Sequence, residues 1–194
     1  GVQTCALPIF LFHVANAWEE GDVVVLQACR SDRGGIVTKP GSDVREQLGQ
    51  LHEWRFDMTS GAVESKPLDD QYYCDFPRIN DDLVGYKNRY TYAARFRIQD
   101  MPVFDGELKY DNETGDIQVH QFGEGCESGE AVFAPRIGGS EEDDGYVICF
   151  VYDAAAQSSE CHIIDARDFE APPVARIKIP QRVPHGFHAA WVNA

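Results

Sequence analysis

The chain has 194 residues, of which 43% are hydrophobic and 25% charged, the composition of a folded domain of ordinary size. Its 32 acidic residues outnumber 17 lysines and arginines and leave a formal charge of −15, so nucleic acid is not an expected partner. No apolar stretch approaches the roughly 20 residues of a membrane-spanning helix, and the start lacks the basic segment of a secretory signal peptide.

The first nine residues differ from the rest of the chain. Residues 1–9 read GVQTCALPI and resemble the translation of a sequencing adapter, although they also fit an apolar entry into a first strand. We predict that residues 1–9 are an artefact and that residues 10–194 belong to a natural protein that continues upstream.

Strand patterns dominate the remainder. Apolar runs, alternating or continuous, predict strands at residues 22–27, 54–57, 90–97, 146–152 and 174–179. Residues 42–51 predict one short helix, because Asp43 and Glu46 are spaced as a capping box. The acidic residues 138–145 lack the ligand spacing of a calcium loop and predict a solvated hairpin tip.

Three turns share one chemistry. Residues 57–61 (DMTSG) and 111–115 (DNETG) begin with Asp, which accepts backbone hydrogen bonds, and end with Gly, which tolerates a positive φ. Residues 153–157 (DAAAQ) follow the same plan without the Gly. The turns are 54 and 42 residues apart, which favours the repeat of a four-stranded propeller blade and leaves an ordinary β-sandwich as the alternative.

The cysteines are widely spaced and contain no C-x-x-C pair. Apart from Cys5 they are Cys29, Cys74, Cys126, Cys149 and Cys161. This pattern predicts free thiols in a reducing compartment and no zinc knuckle.

Two short motifs near the ends of the chain contain histidines. Residues 12–20 read FHVANAWEE and include His13, and residues 182–188 read RVPHGFH and include His185 and His188. Neutral imidazole is a good ligand for iron(II). A histidine beside aromatic residues is also common in a packed core, so residue type alone leaves both interpretations open.

Five motifs in order identify a family resemblance. They are residues 12–20, 75–80 (DFPRIN), 129–136 (GEAVFAPR), 141–146 (EEDDGY) and 182–188. Together they resemble the C-terminal part of the carotenoid cleavage dioxygenases, a family that includes lignostilbene dioxygenases and the retinal-pigment isomerohydrolase. The resemblance extends over essentially the whole chain after residue 9.

The resemblance implies an all-β fold, an incomplete seven-bladed β-propeller with only the C-terminal blades. It implies a non-haem iron(II) held by four histidines, of which His13 and His188 are two and the others lie upstream. It places Asp75 and Glu130 where carboxylates orient the imidazoles. Many members have Glu in place of Asp75, so the shorter side chain predicts a longer or water-bridged bond. From the residues alone, Asp75 also fits a turn before Pro77, and Glu130 fits a surface hairpin.

The same resemblance assigns aromatic residues and His185. Phe12, Phe76 and Phe187 flank the inferred iron shell and would line a substrate tunnel, with core packing as the alternative, equally strong for Phe76. Members commonly have Tyr in place of His185. Residues 185 and 188 point to opposite faces of an extended strand, so we expect only His188 to be a ligand and His185 to lie at the tunnel mouth or in packing.

The implied activity is cleavage of a conjugated double bond of a carotenoid or apocarotenoid by O₂, which gives two carbonyl products. A stilbene-cleaving dioxygenase of the same family and a non-catalytic propeller that binds ligands are the alternatives. We expect an apolar polyene as partner, peripheral membrane contact and no obligate protein partner. We also expect a soluble, non-secreted protein of the cytoplasm or a plastid-like compartment, and a fragment that is inactive and poorly soluble alone.

Overall fold

The computed structural model describes residues 10–34, 43–99 and 102–192. The prediction for residues 1–9 and the start of the predicted helix at residue 42 lie outside these ranges. Within them the chain forms thirteen strands and two short 3-10 helices, Val44–Gln47 and Asp81–Leu83. The strands are β1 Phe10–Glu20, β2 Val23–Ser31, β3 Gln50–Asp57, β4 Val63–Pro67, β5 Cys74–Arg78, β6 Tyr90–Arg97, β7 Val103–Asp111, β8 Ile117–Gln121, β9 Cys126–Ser128, β10 Val132–Pro135, β11 Gly145–Asp153, β12 Ser158–Asp165 and β13 Ala175–Ile179.

The strands form three antiparallel units of four. Strands β1 to β4 pair in chain order and make blade A. Strands β5 to β8 pair in the same way and make blade B, and β10 to β13 make blade C. Strand β9 joins blades B and C, because it pairs with both β7 and β11. Four-stranded antiparallel meanders are the blades of a β-propeller, so the predicted all-β fold, with part of a propeller, is confirmed.

The strand predictions agree with the structure best where the apolar period is clear. Strand β6 covers the predicted residues 90–97, and β11 is central, with partners on both sides. The helix prediction was wrong. The Asp43 carboxylate caps a 3-10 turn by accepting from the Arg45 amide, and the chain then enters β3, where Gln50 pairs with Arg30 of β2. Strand pairing overrides the local helical preference here.

The three Asp turns have the predicted chemistry, but only two occupy equivalent positions. The Asp57 and Asp111 carboxylates each accept from two backbone amides, and both turns connect the third strand of a blade to its fourth. The turn at Asp153 connects β11 to β12, the second and third strands of blade C. The 54-residue spacing is therefore a blade repeat, whereas the 42-residue spacing is not.

Gln157 stands where the other two turns have glycine, and its backbone is in the left-handed region. Its φ is 50°, where Gly61 has 74° and Gly115 has 79°. An L-residue in this region is less stable by roughly 1–2 kcal/mol. We expect Gln157→Gly to raise the free energy of unfolding by about 1 kcal/mol in urea titrations of the full-length protein that carries this chain. Gly115→Gln is the matched control and should lower it by a similar amount; equal stability in all three chains would contradict this explanation.

The core lies between the blades. The interface of blades A and B buries the cluster Cys29, Leu51, Cys74, Ala93, Leu108 and Tyr110. A second cluster, built around Tyr92, Phe133 and Val147, fills the interface of blades B and C. The predicted hairpin tip contributes to this second interface: Glu142 accepts from the Arg89 and Tyr90 amides, and Asp143 pairs with Lys109. The tip was predicted to be solvated, but the Asp143 side chain is only 14% exposed, and Glu142 and Asp143 both bond to residues of blade B.

Glu107 is the most deeply buried acid among the described residues. Ser128 donates to its Oε1 atom at 3.5 Å, and its Oε2 atom has no partner in the described structure. Burial, and secondarily the nearby Glu130, raise the pKa of Glu107 well above 4.5. As the pH rises above 4.5, Glu107 therefore keeps its proton in the folded chain after the unfolded chain has lost it.

This difference in protonation predicts a pH dependence. Between the unfolded and folded pKa values, each unit of rising pH lowers the free energy of unfolding by about 1.4 kcal/mol through this group. We expect Glu107→Gln to stabilise the full-length protein that carries this chain at pH 8 and to have little effect at pH 4, as measured by urea unfolding. An effect of the same size at both pH values would show that folding does not raise the pKa of Glu107.

No helix in the described part of the chain is long and apolar enough to cross a membrane.

Candidate metal centre

His13 lies at a bulge in the first strand of blade A. Leu11 pairs with Arg30 and Val14 pairs with Ala28, so an advance of three residues along β1 lies opposite an advance of only two along β2. A bulge of this kind turns a side chain out of the regular alternation. The His13 Nδ1 atom lies 2.8 Å from Asp75 Oδ1, which connects blade A to blade B.

Asp75 occupies an equivalent bulge in the first strand of blade B. Asp75 pairs with Ala94 and Arg78 pairs with Tyr92, again three steps against two. Between them Phe76 has a φ of 52°, and its amide donates to Asp75 Oδ1 at 2.9 Å. The backbone turn compensates for the short side chain. The structure has a direct bond to His13 in place of the longer or water-bridged one that we expected.

Glu130 lies in a third bulge, between β9 and β10 at the start of blade C. Ser128 pairs with Val151 and Val132 pairs with Ile148, so four steps oppose three. The carboxylate is buried, and its Oε2 atom accepts from the Ala189 amide at 2.6 Å. His188 Nδ1 is 3.3 Å from the same oxygen, and Arg78 is 3.6 Å from Oε1. Glu130 is thus not the surface hairpin residue of the alternative interpretation.

His188 belongs to the irregular segment that follows β13. This segment is attached to blade C by the Val183 amide, which donates to Ser159 Oγ, and by the Ala189 amide. His185 lies 3.2 Å from Glu127, whereas His188 lies beside Glu130. The two histidines therefore have different carboxylate partners, in agreement with the expectation that they point apart. A cavity of about 300 Å³ separates the segment from β11 and is lined by Phe150, Tyr152 and Pro184 among others.

The two imidazoles from opposite ends of the chain meet. The ring centroids of His13 and His188 are 5.1 Å apart, with an interplanar angle of 75°. Phe76 packs against both rings, at 4.8 Å from His13 and 5.8 Å from His188, and against Phe104.

The three predicted tunnel aromatics differ in accessibility. Phe76 is only 6% exposed, and its ring packs against the imidazoles of His13 and His188. Phe12 is 43% exposed and Phe187 68%, and both adjoin an imidazole in sequence. Free aromatic surface beside the histidines is therefore supplied by Phe12 and Phe187.

The donor set suits iron(II). Each Nδ1 atom faces a carboxylate, at 2.8 Å for His13 and 3.3 Å for His188, so Nε2 is the ring nitrogen that is left for a metal. Neutral imidazoles of this kind are ligands that iron(II) accepts. The described residues contain no group of three or more His, Cys, Asp and Glu that could hold a metal. A complete ligand set would therefore need residues beyond the described ones.

Three other histidines have structural partners. His52 contacts Ser65 Oγ at 2.7 Å, His120 contacts the Phe169 carbonyl at 2.9 Å, and His162 contacts Glu160 at 3.1 Å. Burial lowers the pKa of each ring, so all three favour the neutral form. All three lie in the strands of the blades, where their partners are groups of the fold.

Sequence reasoning missed three contributors. Arg78 and the Ala189 amide hold Glu130, and Phe104 supports Phe76. Arg78 lies inside the DFPRIN motif, so the motif contained a signal that we did not use. Nothing in the sequence around Phe104 or Ala189 indicates these contacts.

Fold and site together define a class: a β-propeller in which carboxylates on neighbouring blades hold histidines around one point. The family model described as retinal pigment epithelial membrane protein matches residues 2–193. The chain belongs to this family, the carotenoid oxygenases that its five motifs resemble.

Individual relatives belong to the same family. The chain is 41% identical to the carotenoid 9,10(9',10')-cleavage dioxygenase of Crocus sativus over 95% of this chain and 36% of the relative. It is 34% identical to the apocarotenoid-15,15'-oxygenase of Synechocystis, over 95% of this chain and 39% of the relative. The crystal structure of the cobalt-substituted Synechocystis ACO matches with a TM-score of 0.86 and 31% identity, over 95% of this chain and 40% of that one. The chain thus spans well under half the length of these relatives.

Proposed function

We propose that this chain is part of an iron(II)- and O₂-dependent dioxygenase that cleaves one conjugated double bond of a carotenoid or apocarotenoid. The observation that carries the proposal is the pair of carboxylate-supported imidazoles, His13 and His188, with ring centroids 5.1 Å apart. The names of the Crocus and Synechocystis relatives, a carotenoid cleavage dioxygenase and an apocarotenoid oxygenase, support the substrate class and the use of oxygen.

The chain's residues divide the work between holding the metal and orienting its ligands. His13 and His188 would hold iron through their Nε2 atoms, and bound iron would supply the oxygen chemistry that no side chain provides. Asp75 makes a hydrogen bond with His13 Nδ1, and Glu130 lies 3.3 Å from His188 Nδ1, so each carboxylate would fix the direction of the ring beside it. No protein general base is required. The Glu130 carboxylate also ties the irregular segment to blade C, so one group sets both the orientation and the position of His188.

The exposed aromatic side chains would form the surface that binds the substrate. Phe12 lies with its ring centroid 6.0 Å from that of His13 in a stacked arrangement, and Phe187 adjoins His188. A long polyene is rigid and apolar, so aromatic faces would bind it by apolar burial and align its double bonds beside the imidazoles. The cavity between the irregular segment and β11 offers further apolar surface next to His188.

We expect the 194-residue chain to be inactive and poorly soluble on its own. It supplies two imidazoles of the four-histidine set that the family resemblance implies. Large apolar side chains are exposed on β1, at Phe10, Leu11 and Val14, and on β11 at Phe150. Uncovered apolar surface of this kind favours aggregation. A soluble, monomeric chain with a cooperative melting transition would contradict this expectation.

The proposed setting is a soluble protein of a reducing compartment that contacts a membrane peripherally to obtain its lipid-borne substrate. The free cysteines of the described chain agree with a reducing compartment. Two Arabidopsis relatives are named chloroplastic.

The test is a substrate panel with the full-length protein that carries this chain. We would assay a C40 carotenoid, an apocarotenal and a hydroxystilbene under ¹⁸O₂, with product analysis by mass spectrometry. The proposal predicts two labelled carbonyl products from the carotenoid, the apocarotenal or both. Cleavage of the hydroxystilbene alone would identify a stilbene dioxygenase, and binding without any product would identify a binding module; either result would overturn the proposal.

A further inference from the structure

Two buried thiols meet between blades A and B. Cys29 lies in β2 and Cys74 is the first residue of β5, 45 residues later, yet their Sγ atoms are 3.8 Å apart. The residues are 2% and 0% exposed. We propose that Cys29 and Cys74 form a disulfide under oxidation, a modification site that ties blade A covalently to blade B.

Close contacts of Gly49 with both cysteines bring the two strands together beside the thiols. The Cys74 amide donates to the Gly49 carbonyl at 2.7 Å. A Cβ atom at Gly49 would lie 2.6 Å from the Cys74 carbonyl oxygen and 3.1 Å from Cys29 Cβ, so a glycine is needed at this contact. A disulfide bond is about 2.05 Å long, so the sulfurs must approach by somewhat less than about 2 Å. Side-chain rotation with a small backbone shift provides such a movement.

The step balances with a peroxide as oxidant. Two S–H bonds and the O–O bond of hydrogen peroxide break, one S–S bond forms, and the two protons and two electrons leave with the oxygen atoms as two waters. The hydrogen bond to Cys74, together with burial, raises the pKa of Cys29 well above its ordinary value. Because the thiolate is the reactive form, the disulfide should form slowly, at the rate at which the interface opens.

The cross-link would lie beside the candidate metal centre. Cys74 immediately precedes Asp75, whose Oδ1 atom accepts from His13 of blade A. A disulfide at this position would hold the first strand of blade B against blade A at the level of the His13–Asp75 pair. Disulfide formation does not depend on the proposed function, so a negative result for one proposal leaves the other unaffected.

The test is disulfide mapping in the wild-type full-length protein that carries this chain, which needs no variant. The dilute protein is treated with hydrogen peroxide at neutral pH, its remaining thiols are blocked with N-ethylmaleimide, and unreduced peptides are identified by mass spectrometry. A parallel sample is oxidised in guanidinium chloride. Among the cysteines of residues 10–194, we expect the Cys29–Cys74 peptide to exceed every other pair at least tenfold in the native sample. In the denatured sample we expect Cys149–Cys161, which closes the shortest loop among them, to dominate.

Thermal melting supplies a second measurement. The linked full-length protein should melt several degrees higher than the reduced protein, because the cross-link restricts the unfolded state. Cys29→Ser should lose both the linked peptide and the shift, whereas Cys161→Ser should keep both. The proposal is overturned if the native sample gives no Cys29–Cys74 peptide or repeats the denatured pattern. Since this result comes from the wild-type chain, it holds even where a variant fails to fold.

Discussion

Alanine at His13 or at His188 in the full-length protein should lower its affinity for iron(II) by more than about a hundredfold and remove detectable cleavage. Each substitution deletes one of two imidazoles whose Nδ1 atom lies beside a carboxylate. Loss of a partner that only orients a ligand typically lowers metal affinity by 10–100-fold, so loss of the ligand itself should exceed that range. Iron content after dialysis and carbonyl product formation are the measurements.

His185→Ala is the matched control for this prediction. His185 lies three residues before His188 in the same irregular segment, but it pairs with Glu127 and its side chain is 51% exposed. Iron content and turnover should stay within about twofold of the wild-type values. Full iron content in His13→Ala and His188→Ala, or a loss in His185→Ala as large as in His188→Ala, would remove the ligand assignment.

Substitution of Glu130 should have the second largest effect, on iron affinity and stability together. Its buried carboxylate accepts from the Ala189 amide, contacts His188 and faces Arg78. Glu130→Gln keeps the shape but removes the charge, and we expect a 10–100-fold loss of iron affinity. Glu130→Ala also leaves the amide and the guanidinium without this partner, and we expect about 3 kcal/mol of destabilisation. Iron titration and urea unfolding measure the two effects.

Glu127→Gln is the control for the carboxylate. Glu127 lies in the same strand region and pairs with His185, outside the convergence of the two imidazoles. The Glu127→Gln variant should bind iron with the same affinity as the wild type. If both glutamine variants lost iron affinity equally, the effect would be a general result of lower negative charge and would not be specific to the orientation of His188.

Strand positions could be predicted from the sequence because a period of two is a local property. Residues 90–97 alternate and form β6 with the predicted bounds. The predicted helix at residues 42–51 is reduced to a 3-10 turn because its last two residues, Gln50 and Leu51, pair with β2, a contact that local propensity does not encode. The 42-residue turn spacing failed for a similar reason. Equivalent turn chemistry does not guarantee equivalent positions in a blade.

The candidate site could be predicted only as a set of residues. The motifs selected His13, His188, Asp75 and Glu130, and the structure brings them into two neighbouring pairs. The three bulges that direct them into place depend on register between strands. The turn at Phe76, which lets a short aspartate reach His13, has no signal in residue type, because a positive φ is uncommon for phenylalanine. The second role of Glu130, anchoring the irregular segment, likewise requires the position of Ala189.

The most direct test of the central claim is anomalous diffraction at the iron edge from crystals of the iron-loaded, full-length protein. The account predicts one iron peak in contact with the Nε2 atoms of both His13 and His188, while their Nδ1 atoms remain beside Asp75 and Glu130. An iron peak bound by other residues, or the two imidazoles separated and facing solvent, would contradict it.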